Sequence, residues 1–348
     1  MELIDRLNKE KRLSSSEWKK LLSSWIEEDR TYAAFIARTV VLQKFGKSIY
    51  IRGVIEFSNF CKNDCYYCGI RHSNSKIGRY RLSKEDILNC CQKGHSQGFR
   101  TFVLQSGEDP YFTTDKLADI VSEIKNKYPD SAVTLSVGEL KPEDYTNLFK
   151  AGTDRYLLRH ETADEKHYKA LHPAKQSWKN RMRCLQDLKD TGYQTGCGFI
   201  VGAPYQNIDC MVKDMEFLSN FNPEMIGIGP FIPHKDTPFA AEKTGSLETS
   251  LFFLSLCRIM LPDVLLPATT ALGTIDPEGR EKGILAGANV IMPNLSPSRV
   301  RGKYMLYNNK QNSDVETSRC MIDLRKRMSS IGYDIKISRG DYKGRNNS

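Results

Sequence analysis

A chain of 348 residues, 40% hydrophobic and 27% charged and without low-complexity tracts, has enough apolar content for a large core, which excludes a disordered protein. Its formal charge of +9 is uneven, because residues 319–348 hold eight Lys or Arg against three Asp. The N-terminus mixes acids and bases with no apolar stretch behind it, and the most apolar helix candidate, 251–261, is interrupted by Ser255 and Arg258. Neither a secretory signal nor a membrane span is therefore expected.

Residues 3–12, 18–28 (with Ser16 as cap) and 32–45 (ending at Gly46) have helical patterns and no cluster of catalytic residue types. From Ile49 onward, short β-branched runs alternate with amphipathic stretches at the spacing of βα units. Eight strands are predicted, over 49–57, 101–105, 132–137, 155–159, 195–201, 225–229, 266–270 and 289–292. Helices are predicted between them over 83–98, 115–128, 142–151, 177–192, 208–220, 247–261 and 277–286. Gly98, Gly152, Gly192 and Gly287 end four of these as glycine caps allow. The pattern argues for an α/β fold, a (β/α)8 TIM-type barrel with chemistry at the C-terminal strand ends. An open doubly wound sheet is the alternative. We expect helices over 1–47, the barrel over 48–307 and a basic extension over 308–348.

Ten cysteines spread through a long chain without an export signal should be reduced, which suits a cytoplasmic protein. The basic C-terminal segment is either a docking surface for an acidic partner or, more plainly, a solvated last helix and tail.

After the first strand comes Cys61-Lys-Asn-Asp-Cys65-Tyr-Tyr-Cys68. Three thiolates at this spacing can wrap one corner of a four-iron cluster and leave one iron open for a small molecule. A zinc knuckle with His72 as fourth ligand is the rival reading. Polar residues crowd the other strand ends: Gln105, Gly107 and Glu108 after strand two, Thr134 and Ser136 on one face of strand three, Arg159 and Glu161 after strand four. His160 lies between the last two and so turns to the opposite face, in a structural role. Strand five is glycine-rich at Gly196 and Gly198. Thr269, Thr270, Met292 and Asn294 complete the ring. Cys90, Cys91, Cys184, Cys197, Cys210 and Cys257 read as small core residues.

The C-x3-C-x-aromatic-C arrangement resembles the radical S-adenosylmethionine superfamily. The runs IEFSNFCKNDCYYCGIR, LQSGEDPYF, DRYLLRHETA, GIGPFIPH, LPATTALGT and GANVIMPN resemble, more narrowly, the HydE-type maturases of FeFe-hydrogenase, from about Ile49 to about Tyr307. The resemblance implies an enzyme with one 4Fe-4S cluster on Cys61, Cys65 and Cys68 that cleaves S-adenosylmethionine reductively to a 5′-deoxyadenosyl radical. It implies Tyr67 beside the adenine, Gly107 and Glu108 at the methionine amino group, and Ser136, Glu161 and Arg181 on the rest of that molecule. Arg159, Thr134 and Met292 would act on an organometallic iron substrate carrying CO and cyanide, with Arg52, Gln105, Thr269, Thr270 and Tyr304 lining its site. Partner maturases and an external electron donor are implied as well. Some members carry three further cysteines near the C-terminus. Here residues 311–323 contain only Cys320, with Asn312 and Asp323 at the other two positions, so no accessory cluster is expected. A methylornithine synthase-like amino-acid mutase and a non-catalytic iron–sulfur scaffold are the alternatives. No nucleic-acid partner is expected, because no aromatic-rich OB-like or zinc module is appended.

Overall fold

The computed structural model describes residues 1–310 and 317–344. Three helices open the chain, α1 (Glu2–Glu10), α2 (Ser15–Ser24) and α3 (Glu27–Phe45). Ser14, not Ser16, caps α2, in a capping box with Glu17. The backbone is extended at Trp25 and Ile26, so the helix expected through Glu28 stops at Ser24. The next starts at Glu27 because Asp29 takes the Ile26 N–H and three acids occupy its first turn, where the helix dipole favours them. These helices join the barrel's outer layer: Trp25 packs on Phe252 with ring centroids 4.9 Å apart and planes tilted by 31°, and Lys19 pairs with Asp209 at 2.8 Å. They cover the helix over Leu247–Met260, which is buried along nearly its whole length, as its apolar character on every side requires.

The first barrel strand is split in two, β1 (Ser48–Ile51) and β2 (Gly53–Ser58), around Arg52. Five more strands follow, β3 (Thr101–Ser106), β4 (Ala132–Ser136), β5 (Arg155–Leu157), β6 (Gln194–Cys197) and, after the short β7 (Ile200–Val201), β8 (Met225–Ile226). They form a parallel sheet in the order β2-β3-β4-β5-β6-β8. Parallel bridges Met225↔Leu265 and Pro267↔Val290 carry it on. Pairing of β1 with Val290–Ile291 and the bridge Val54↔Asn294 then close the barrel. Eight staves stand where eight strands were expected, with two differences. The stave over 266–270 is reduced to bridge residues, since Pro267 has no N–H to donate, and Thr270–Ile275 is already helical. The stave over 195–201 breaks at Gly198 (φ 151°), where a Cβ would lie 2.0 Å from Gly227 O. β7 then pairs with Gly229–Pro230 as a separate ribbon above the sheet. Gly98, Gly152, Gly192 and Gly287 have φ of 93°, 107°, 102° and 108°, as end caps require.

The C-terminal segment is not the solvated tail expected. A helix over Thr317–Ser330 is followed by a strand, Asp334–Lys336, that pairs in parallel with β1. Residues 339–342 then cross the N-terminal end of the barrel. There the fully buried Arg155 donates to Asp341 Oδ1 (2.6 Å), Arg339 O (2.8 Å), Thr101 Oγ1 (3.0 Å) and Gln194 Oε1 (3.2 Å). Part of the positive charge read as a docking surface thus closes the barrel floor. Burial works to raise the Asp341 carboxyl, but its hydrogen bond to Arg339 and the charges of Arg155 and Arg339 outweigh it and hold the group at about 2. A depressed folded-state value contributes stability above the unfolded value near 4, and that contribution is lost as pH falls toward 2. Acid melts should therefore show an extra loss of stability between about pH 4 and pH 2 that Asp341→Asn lacks. Parallel wild-type and variant curves across that window would refute it.

Candidate active site

A cavity of about 570 Å³ opens at the C-terminal end of the staves. Cys61, Cys65 and Cys68 face it from the loop after β2, half-buried and without disulfides. Burial pushes the Cys65 thiol to about 12 and raises Cys61 and Cys68, each further opposed by its neighbours' charges. Three thiols raised in this way ionise together only when a metal group replaces their protons. His72 does not join them: it is exposed, with Nδ1 3.3 Å from Cys61 O. Among the described residues no three His, Cys, Asp or Glu side chains close on a single ion position. The zinc knuckle is thereby disfavoured, and three soft donors set apart fit a corner of a 4Fe-4S cluster with one iron left open.

Beside the thiols the second strand end is fixed by backbone contact. Lys62 N–H donates to Glu108 O at 2.9 Å, and Gly107 N–H to Ser58 O at 3.2 Å. A Cβ on Gly107 would lie 2.3 Å from Phe60 O and 2.7 Å from Cys61 Cβ, so only glycine passes there. The Glu108 carboxylate pairs with Lys62 at 3.2 Å and packs over Gly138. Ser136 lines the same side from the end of β4. Glu161 enters the cavity from a left-handed backbone (φ 65°) held by the bridge Glu161↔Phe199, with Arg159 Nη2 3.2 Å from its Oε2. Arg181 Nε donates to Glu139 Oε1 (2.6 Å) and its Nη1 to Arg159 O (2.5 Å). Tyr67 is pinned by its hydroxyl. His172 Nδ1–H must donate to Tyr168 O (2.8 Å), which leaves Nε2 to accept from Tyr67 Oη (3.1 Å).

Deeper lie Arg52, Gln105, Thr134, Thr269, Thr270, Met292 and Tyr304, so every residue that the family resemblance assigns to the site lines this one cavity, whereas Gly196 and Gly198 of the glycine-rich strand do not. Arg52 Nη1 rests on Met225 Sδ (2.8 Å), and Gln105 Nε2 reaches Tyr304 Oη at 3.4 Å. Thr269 and Thr270 reach it from the start of a helix, not from a strand end. Seven buried polar atoms here make no hydrogen bond: Nε and Nη2 of Arg52 and of Arg159, the hydroxyls of Thr134 and Thr269, and Glu161 Oε2, which meets Arg159 Nη2 only as an ion pair. Buried donors are seldom left unpaired, so these point to a bound hydrogen-bond acceptor.

His160 faces away from the cavity, fully buried, its Nδ1 accepting from Gly198 N–H (3.2 Å) and its Nε2 3.3 Å from Asp214. Burial lowers its pKa to about 3, which suits the structural role read from strand alternation. Sequence reasoning missed several functional neighbours. Gln176 touches Cys65 Sγ at 3.4 Å, and Glu56 forms a buried ion pair with Lys310 while accepting from Asn294 Nδ2 (2.8 Å). Each joins residues more than a hundred positions apart, and no local pattern marks them. The side chain of Cys320, and Asn312 altogether, lie outside the described residues.

A parallel barrel with a three-thiol loop over its mouth, and a glycine–carboxylate turn against that loop, defines a radical S-adenosylmethionine enzyme. The model of the radical SAM superfamily matches residues 55–218. The FeFe hydrogenase maturase subunit HydE of Thermotoga maritima is 50% identical over 76% of this chain and 75% of its own. A 3-methylornithine synthase of Methanosarcina acetivorans is 31% identical over 83% and 82%. Among solved structures, methylornithine synthase PylB aligns with a TM-score of 0.83 at 25% identity, covering 96% of this chain and 97% of that one. HydG, at 20% identity, shares the fold with a TM-score of 0.81 over 99% of this chain and 77% of its own. The chain belongs to the HydE family. Its membership brings a 4Fe-4S cluster and S-adenosylmethionine.

Proposed function

We propose that this enzyme matures the active-site cluster of FeFe-hydrogenase by acting on a small anionic iron complex carrying CO and cyanide. The observation that carries the reading is the set of free donors inside the cavity that the three thiols face, Nε and Nη2 of Arg52 and Nε of Arg159, whose Nη2 is ion-paired with Glu161. Two guanidiniums so placed, with the Thr134 and Thr269 hydroxyls, suit an anion with acceptor ends, and the Met292 thioether supplies a soft contact for iron. Glu56 of this cavity is ion-paired with Lys310 and Glu161 with Arg159, which disfavours the ammonium end of the zwitterion that an amino-acid mutase would bind.

Cys61, Cys65 and Cys68 would hold the cluster, which when bound supplies the electron for reductive cleavage of S-adenosylmethionine. Glu108 and the Gly107 backbone would receive its methionine amino group. Ser136, Glu161 and Arg181 would orient the remainder, and the pinned Tyr67 ring would flank the adenine. Gln105, Thr270 and Tyr304 complete the substrate wall. The reading includes partner maturases, an external electron donor, a single cluster and a reducing, cytoplasmic setting; the nine described cysteines without disulfides fit the last.

The test is hydrogenase activation with the partner maturases. Arg52→Met should keep cleavage of S-adenosylmethionine and lose activation about a hundredfold, the worth of a charged hydrogen bond or two. Wild-type activation by this variant, or turnover of a free amino acid by the wild type, would sink the reading.

A further inference from the structure

The loop over residues 60–78 carries the three thiols without helix or strand of its own, and two side chains fasten its ends together. Asn59 Nδ2 donates to Gly78 O (2.9 Å) and Lys303 O (2.7 Å), and its Oδ1 accepts from Tyr80 N–H (2.8 Å). Arg79 reaches further. Its Nη1 donates to Asn59 O and to Ile70 O (2.9 Å), and its Nη2 to Arg71 O (2.6 Å), Asn74 O (3.1 Å) and, more weakly, His72 O (3.4 Å). One guanidinium thereby ties the residue before the first thiol to the turn after the last. A guanidinium presents several donors in a rigid plane, so it fixes these carbonyls relative to one another as no single-headed side chain can.

All the hydrogen-bond acceptors of Arg79 are neutral backbone oxygens. The adjacent carboxylates are taken, Asp64 by Arg71 (3.1 Å) and two bonds from Ser73 (2.9 Å each), and Asp109 by Arg81 (2.7 Å). Among the described residues Arg79 has no ion-pair partner of its own; the charged or ionisable groups that act on it are Cys61, Cys68 and, already bound elsewhere, Asp64. Reduction adds one negative charge to a thiolate-bound cluster, and a half-buried cation beside it stabilises that form.

We propose that Arg79 is a positioning residue for the cluster: it shapes the thiol loop before iron arrives, and its unpaired charge favours the reduced state. This rests on the reading that the three thiols hold the cluster. The test compares Arg79→Gln, which removes the charge, with Arg79→Lys, which keeps the charge and loses the planar fork. In a potentiometric titration followed by electron paramagnetic resonance, Arg79→Gln should lower the reduced-to-oxidised ratio about tenfold at a fixed potential, a shift of 59 mV for one electron. Arg79→Lys should stay within threefold of wild type. In the cluster-free protein, hydrogen exchange of the loop amides should quicken at least tenfold in both variants.

An unchanged ratio in Arg79→Gln, or a lysine variant that shifts as far as the glutamine one, would overturn the electrostatic half. Unchanged loop exchange in Arg79→Lys would overturn the positioning half, and this variant decides if the glutamine one does not fold. A wild-type chain that assembles no cluster would instead bring down the underlying reading, and the proposal with it.

Discussion

Replacing Cys65 with alanine removes the cluster and, with it, S-adenosylmethionine cleavage, while the barrel stays folded. Cys65 is one of the three thiols at the cavity, and no other described Cys or His stands ready to replace it. Two thiolates cannot hold a four-iron cluster whose remaining iron is reserved for a small molecule. Bound iron should fall from about four per chain to below one, and 5′-deoxyadenosine to the level of an iron-free control. Folding should hardly notice. The Cys65 thiol is half-buried and contacts only the Gln176 amide among polar groups, so about 1 kcal/mol is at stake. Iron analysis, chromatography and a thermal melt together check this. Cleavage above background in the variant would mean that the triplet is not the cluster site.

The largest effect on stability is expected from Arg155→Met at the other end of the barrel. The guanidinium is wholly buried and joins three staves, through Thr101, its own backbone and Gln194, to the C-terminal segment at Asp341 and Arg339 O. Methionine fills much of the volume but takes one donor from Asp341, which keeps Arg339 Nε (2.8 Å) and Gln194 Nε2 (3.2 Å), and one from the Arg339 carbonyl, which keeps Thr101 Oγ1 (2.8 Å). Because Asp341 is partly exposed and stays hydrogen-bonded, the loss is that of charged hydrogen bonds, about 2–3 kcal/mol. For a protein of this size that lowers the melting temperature by roughly 5 °C. Calorimetry of the apoprotein reads it, and a melting point within about one degree of wild type would show that the C-terminal segment does not brace the floor. Cluster binding, at the opposite mouth, should survive.

Much of the barrel was legible because its signals are local. β-Branched runs, amphipathic stretches and glycines at helix ends act over a few residues, so eight staves could be counted before any pairing was known. The cysteine triplet was legible for the same reason, its ligands lying within one turn of loop. Strand alternation separated Arg159 and Glu161 from His160, because period two sends neighbours to opposite faces.

Other features rest on partners that no spacing announces. Lys310 neutralises Glu56, His172 pins Tyr67 and Arg155 holds Asp341; each pair meets only when the barrel closes. The strand over Asp334–Lys336 is too short to stand out and exists because β1 offers it an edge, which turned an expected tail into the barrel's floor. Pro267 and Gly198 broke two expected strands, the first by lacking an N–H and the second by a close backbone approach that the sequence does not display. By itself the sequence determined the class of fold, the cysteine triplet at the barrel mouth and which residues turn inward, since these follow from periodicity and short spacing. Only the tertiary structure decided which inward groups are already paired and which donors stay free, because pairing depends on distances across a closed barrel.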